Sequence, residues 1–137
     1  MKCSGPHANK GERMKIGIIG AGNVGGTVGL RWAQNGHSVV FSSRNPQSDA
    51  MKALLAKVSG SAKSATVERA VEASEILFLA TPWDETQNAL QSAGSLSGKI
   101  LIDATNPILP DFGGLECGTS TSGGELVATW ARAGPRW

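Results

Sequence analysis

Lys15-Ile16-Gly17-Ile18-Ile19-Gly20-Ala21-Gly22-Asn23-Val24-Gly25 joins a short apolar run to a turn spelled Gly20-x-Gly22-x-x-Gly25. The run has the length and composition of a buried strand, and a helical pattern starts at Asn23. That order of strand, glycine turn and helix lifts the glycine spacing from a weak motif to a specific one. Gly20 makes the tight turn, Gly22 lets the main chain approach a pyrophosphate, and Gly25 lets helix and strand pack closely. The free N–H groups of the new helix, with its dipole, favour an anion over Ala21, Gly22, Asn23 and Val24. The alternative is a glycine-rich turn that binds nothing.

Working outward, Val24, Val28 and Trp32 recur at i+4 spacing through a helix expected over Asn23 to Asn35, and Gly36 suits its stop. Gly25 and Gly29 lie beside that stripe, a spacing that marks a helix held close against a strand. Ser38-Val39-Val40-Phe41-Ser42 is a second strand, so strand, helix and parallel strand close one right-handed unit. The end of this second strand bears on which dinucleotide fits. A site for NAD places Asp or Glu about 20 residues past the glycines, on the ribose 2′-OH. Here the residues are Phe41-Ser42-Ser43-Arg44-Asn45-Pro46, without an acid. A hydroxyl and a planar guanidinium can hold a 2′-phosphate that a carboxylate would repel, so Ser43 and Arg44 are read as selectors of NADP(H). The competing reading makes Arg44 a surface residue of a turn.

The rest of the chain alternates in the same way. Gln47 to Ser59 has helical spacing, Ala62 to Thr66 supplies a short third strand, and Val67 to Ala73 a short helix. Glu75-Ile76-Leu77-Phe78-Leu79-Ala80 is nearly continuous in apolar residues, as a strand buried on both faces requires. Thr81-Pro82-Trp83 breaks it, and Trp83 to Ala93 forms a helix with Asp84 and Glu85 in its first turn. Lys99 to Asp103 is a fifth strand, Ile108 to Ser122 a glycine-rich loop, and Glu125 to Ala133 a last helix. These elements predict an α/β fold, a doubly wound parallel sheet of Rossmann type with strand order 3-2-1-4-5. The expected domain covers residues 14–137, after a polar, disordered extension over residues 1–13.

Composition bounds the function. The chain has 137 residues, 40% hydrophobic and 18% charged, with a formal net charge of +2. That charge and the lack of a basic run argue against nucleic acid as a partner. No apolar run approaches the roughly 18 residues of a membrane span, and no signal-like segment opens the chain, which leaves no membrane partner and the cytoplasm as the expected location. Cys3 and Cys117 are read as free thiols. His7 and His37 have no metal-ligand spacing, so no metal is expected.

The sequence resembles the coenzyme F420-dependent NADP oxidoreductases. The likeness rests on Lys15 to Gly25, Ser43-Arg44, Ala80-Thr81-Pro82-Trp83, Asp103-Ala104-Thr105-Asn106-Pro107 and Gly123 to Trp130. It extends over nearly all of Met14 to Trp130. The resemblance implies an NADP-binding domain followed by further strands and helices that complete a deazaflavin pocket. This chain stops where a sixth strand is expected, and is read as C-terminally truncated or a short form.

All these segments follow strand ends and are expected to converge on one crevice. Ala80, Thr81, Pro82 and Trp83 would border the cofactor's middle, and Asn106 and Pro107 its nicotinamide end. Trp83 either walls a flat ring or belongs to the core. Asn106 either serves a carboxamide or caps a proline turn. No nucleophile–base pair is visible, as expected for direct hydride transfer between bound cofactors. The expected function is thus hydride transfer between NADP(H) and a deazaflavin such as coenzyme F420, or another small acceptor. The alternatives are a non-catalytic NADP-binding module or fragment and, more remotely, a methyltransferase. Strand five, an uncovered apolar edge, predicts a homodimer.

Overall fold

The strand runs of the sequence all pair in parallel, in a computed structural model that describes residues 13–58, 60–108, 111, 113–115 and 120–131. The elements in order are β1 (Lys15–Ile19), α1 (Asn23–Gln34), β2 (Ser38–Ser42), α2 (Asp49–Leu55) and β3 (Ala62–Ala65). They continue with α3 (Val67–Glu72), β4 (Ile76–Leu79), α4 (Trp83–Ser92), β5 (Ile100–Asp103) and α5 (Gly123–Trp130). The sheet runs β3-β2-β1-β4-β5, as expected. Cys3, His7, Cys117 and all of the N-terminal extension before Arg13 lie outside the described residues. Among the described residues no helix is long and apolar enough to cross a membrane.

β1 is central: its backbone pairs along both edges, and its apolar faces are covered by helices on both sides. Ile16 to Ile19 pair with Ile76 to Leu79 on one side, and Lys15 to Ile18 with Ser38 to Phe41 on the other. Alternation along the strands then divides the core into two layers. Ile16, Ile18, Val39, Phe41 and Phe78 pack under α1 and α2, with Ala33 and Met51. Ile19, Leu77, Leu79 and Leu101 pack under α3, α4 and α5, with Val71, Leu90 and Val127. Each large side chain so buried contributes about 1.5–3 kcal/mol, so the double coverage of β1 and β4 dominates the stability. Trp32 of α1 meets Phe78 edge-on at 5.2 Å, which ties α1 across to β4.

All five helices have bounds that differ from the periodic pattern, α3 and α4 only by stopping one residue early, and in the other three the local reason is visible. α1 stops at Gln34 in a Schellman motif: His37 N–H donates to Trp32 O at 3.1 Å and Gly36 N–H to Ala33 O at 3.1 Å. α2 is shorter than Gln47 to Ser59. Ser48 caps it, its Oγ accepting from Met51 N–H, and after Leu55 the bonds tighten to Lys57 N–H on Leu54 O and Val58 N–H on Leu55 O. α5 starts two residues before Glu125. Ser122 Oγ accepts from Glu125 N–H, while Glu125 Oε2 accepts from Ser122 N–H, a reciprocal capping box that the pattern Ser-x-x-Glu could have announced. In the loop before it, Ile108 and Leu115 form an isolated antiparallel bridge.

Hydrogen bonds from the Ser122 backbone and the Thr121 and Ser122 side chains hold the Glu125 carboxyl below its ordinary value of 4.5. The folded value lies under the unfolded one, so the stabilisation is complete above about pH 4.5 and is lost as pH falls through the lowered value. The protection factors of the Val127 to Ala131 amides, measured against the unfolded-chain rate at each pH, are therefore expected to fall on acidification below that range. In Glu125→Gln the pH dependence should vanish.

Candidate functional site

Chain crossing at the end of β1 sets the geometry. Gly20 has φ 99°, and a Cβ on it would stand 2.7 Å from the Ala80 carbonyl carbon and the Thr81 nitrogen. Only glycine can turn there while touching the chain that leaves β4. Gly25 is closed in as tightly, since its Cβ would stand 1.9 Å from Gly20 O. Gly22 is different. It is exposed, has φ −80° and would place a Cβ with nothing among the described residues within 4 Å. Neither the backbone nor the packing requires a glycine at this position. Gly22 is also the N-cap of α1, which has no side-chain cap and no acid in its first turn. α2, α3 and α5 all have both. The N-terminus of α1 thus presents bare N–H groups and an uncompensated dipole over the lip of the crevice.

The crevice has a volume of about 740 Å³, in the range of small-molecule sites. It runs over the C-terminal ends of β1, β2 and β4, where strand order reverses. Seven of the fourteen residues expected at the site line it: Gly20, Ala21, Gly22, Asn23, Ser43, Arg44 and Thr81. The other seven do not. Gly25 packs against Gly20, and Val24 is exposed on the adjoining turn of α1. Ala80 is packed against the α1 and α2 layer. Pro82 is the N-cap of α4, its carbonyl accepting from Thr86 Oγ1. Trp83 is only 7% exposed and meets Trp130 with the rings tilted by 45° and their centroids 5.2 Å apart, so it packs in the core with α4 and α5 and is not among the residues lining the crevice. Pro107 lies near Gly123, whose Cβ would be 3.3 Å from its ring, and Asn106 accepts Ile108 N–H through its backbone. Neither is among the residues that line this crevice.

Three features at the crevice escape the sequence. Ser42 Oγ is buried with no hydrogen-bond partner among the described residues, although Ser42 lines the crevice floor. An orphaned hydroxyl there is a group held in reserve or a cost to the fold. Thr81 belongs to a short relay. Thr86 Oγ1 donates to Pro82 O at 3.0 Å, so its proton is used. The Thr81 hydroxyl, 2.8 Å away, must then donate to Thr86 Oγ1 and turn its lone pairs to the crevice as an acceptor. Lastly, Glu85 at the start of α4 lines the crevice and pairs with Arg44, Nη2 to Oε1 at 2.5 Å. Read along the chain, Glu85 is a first-turn acid of a helix; only the fold sets it beside Arg44.

A glycine turn at the β1 end, a bare helix N-terminus and a crevice at the switch point define a dinucleotide-binding α/β domain of Rossmann type. The family model of coenzyme F420-dependent NADP oxidoreductases matches residues 15–107, and the chain belongs to that family. It is 35% identical over 97 residues to the metalloreductase STEAP3 of Rattus norvegicus, a match over 70% of this chain and 19% of that protein. A crystal structure of a proposed F420-dependent NADP reductase from Arthrobacter sp. FB24 superposes with a TM-score of 0.79 and 27% identity, over 88% of this chain and 60% of that one. The fold is shared with a reductive aminase from Aspergillus terreus, solved with NADPH and ethyl levulinate, at a TM-score of 0.64 and 22% identity over 88% of this chain and 38% of that one. The chain therefore spans less than two thirds of each of these relatives.

The contrast between glycines is directly testable. Gly22→Val should cost the fold only about 1 kcal/mol, the penalty of a poor N-cap, yet abolish dinucleotide binding because its methyls project into the crevice mouth. Gly25→Ala should instead destabilise the fold by about 3 kcal/mol or more, through overpacking against Gly20 O. Thermal melts and NADPH titration of the two variants separate the effects.

Proposed function

We propose that this chain binds NADP(H) in the crevice and serves hydride transfer between the nicotinamide and a deazaflavin, coenzyme F420 or a similar small acceptor. The observation that carries the reading is Gly22: a glycine that neither conformation nor packing demands, at the lip of a crevice whose helix N-terminus is left uncapped. A pyrophosphate fits there, against the N–H groups of α1. Ser43 and Arg44 would hold the 2′-phosphate at the end of β2, and Thr81 would accept a hydrogen bond from a ribose hydroxyl. NADP(H), when bound, supplies the hydride. The residues of this chain bind and orient it and keep water from the reacting face. Family membership supports the choice of NADP and of a deazaflavin acceptor.

Arg44→Ala is expected to weaken NADPH binding roughly ten- to a hundredfold, the worth of a charge-assisted hydrogen bond, and to leave NADH binding nearly unchanged. Equal losses for both would remove Arg44 from 2′-phosphate recognition. Rapid mixing of NADPH with a deazaflavin tests the transfer itself. Tight NADPH binding without oxidation would assign the chain to the binding-module reading.

Assembly as a homodimer belongs to the same proposal. β5 lies at one edge of the sheet, and Ile100 and Ile102, 60% and 40% exposed, share one of its faces. Sedimentation at micromolar concentration should detect a dimer that Ile100→Lys weakens; a clean monomer would refute it.

A further inference from the structure

Arg44 and Glu85 reach toward each other from opposite walls of the crevice, the loop after β2 and the first turn of α4. Theirs is the only salt bridge among the described residues. The two side chains are 84% and 45% exposed, and an ion pair so open to solvent contributes little to the stability of a fold. Nor does α4 need Glu85 for its dipole, since Asp84 stands beside it in the first turn. Where these two side chains matter is the crevice they both line.

Resting on the NADP(H) reading above, we propose that Glu85 is a specificity-determining residue that lowers the preference for a 2′-phosphorylated dinucleotide over a 2′-hydroxyl one. A guanidinium offers five donors in a rigid planar fork, and Glu85 Oε1 takes the Nη2 corner of that fork. A 2′-phosphate, nearly a dianion at neutral pH, would have to share the remaining donors a few ångströms from a carboxylate. A 2′-hydroxyl carries no charge and can donate to that same carboxylate. NAD sites of this fold obtain the latter bond from an acid at the end of the second strand. Here that acid is absent from the second strand, and a carboxylate arrives at the same arginine from α4 instead. At a separation of about 6 Å in a largely solvated site, the repulsion amounts to roughly three- to tenfold in affinity for the phosphorylated form.

The test is a set of dissociation constants for NADPH and NADH, measured on the full chain at low and high salt. Glu85→Gln should bind NADPH roughly three- to tenfold more tightly and NADH no more tightly than the parent, with the gain shrinking at high salt. Glu85→Asp, which keeps the charge, should stay close to the parent ratio. A merely structural role would move both nucleotides together. Arg44→Ala, measured in parallel, separates the two ideas. If it fails to weaken NADPH selectively, the underlying reading of Arg44 falls and this proposal with it. If Arg44→Ala is selective but Glu85→Gln leaves the NADPH to NADH ratio unchanged or shifts it toward NADH, Glu85 supports Arg44 rather than opposing the phosphate, and the proposal alone is overturned.

Discussion

Gly25 lies so close to Gly20 that a single Cβ on it would stand 1.9 Å from the Gly20 carbonyl oxygen. That backbone-on-backbone contact fixes where α1 leaves β1, and much else is set by it. It brings the helix down onto the sheet, so that Gly29 faces the Phe41 ring with room for no side chain between them. It pushes the turn at Gly20 against Ala80 and Thr81, which locks the end of β1 to the end of β4. The same placement aims the N-terminus of α1 along the crevice. Packing and site share one constraint, and the helix dipole is oriented at no further cost to the fold.

The two sides of the crevice do different chemistry. Around α1 the groups on offer are main-chain N–H groups, placed by the close approach of Gly25 to Gly20. Across from them the groups are side chains: Ser43 and Arg44 after β2, Thr81 after β4 and Glu85 on α4. Main-chain donors suit the invariant part of a dinucleotide, its pyrophosphate, and side chains suit the part that varies, the 2′-substituent. Behind this wall, Trp83 and Trp130 close the layer between α4 and α5, and the capping box at Ser122 and Glu125 seats α5 on that layer. The segment after β5 is half-buried to exposed, and Asn106 and Pro107 on it are not among the residues that line the crevice.

The fold was legible because its signals are local and repeated. Apolar runs of strand length, helical spacing between them and the spacing of Gly20, Gly22 and Gly25 each follow from a few neighbouring residues. The strand order 3-2-1-4-5 follows from right-handed crossovers and from burial of both faces of β1 and β4. Of the expected site, the parts attached to the glycine turn and to the β2 end line the crevice, because a residue just past a strand's C-terminal end has little freedom of position. Trp83 was open to two readings because an aromatic residue after a buried strand can face either way; its contact with Trp130, 47 residues on, placed it in the core.

By itself, then, the amino-acid sequence determined the element order, the central place of β1 and the turn that carries the dinucleotide motif, all properties of short-range spacing. Tertiary structure alone decided that Glu85 meets Arg44, that the Ser42 hydroxyl has no partner among the described residues, and that Gly22 is free of the demands that hold Gly20 and Gly25. These depend on the distance between groups far apart in the chain, and that distance exists only once helices have docked on both faces of the sheet.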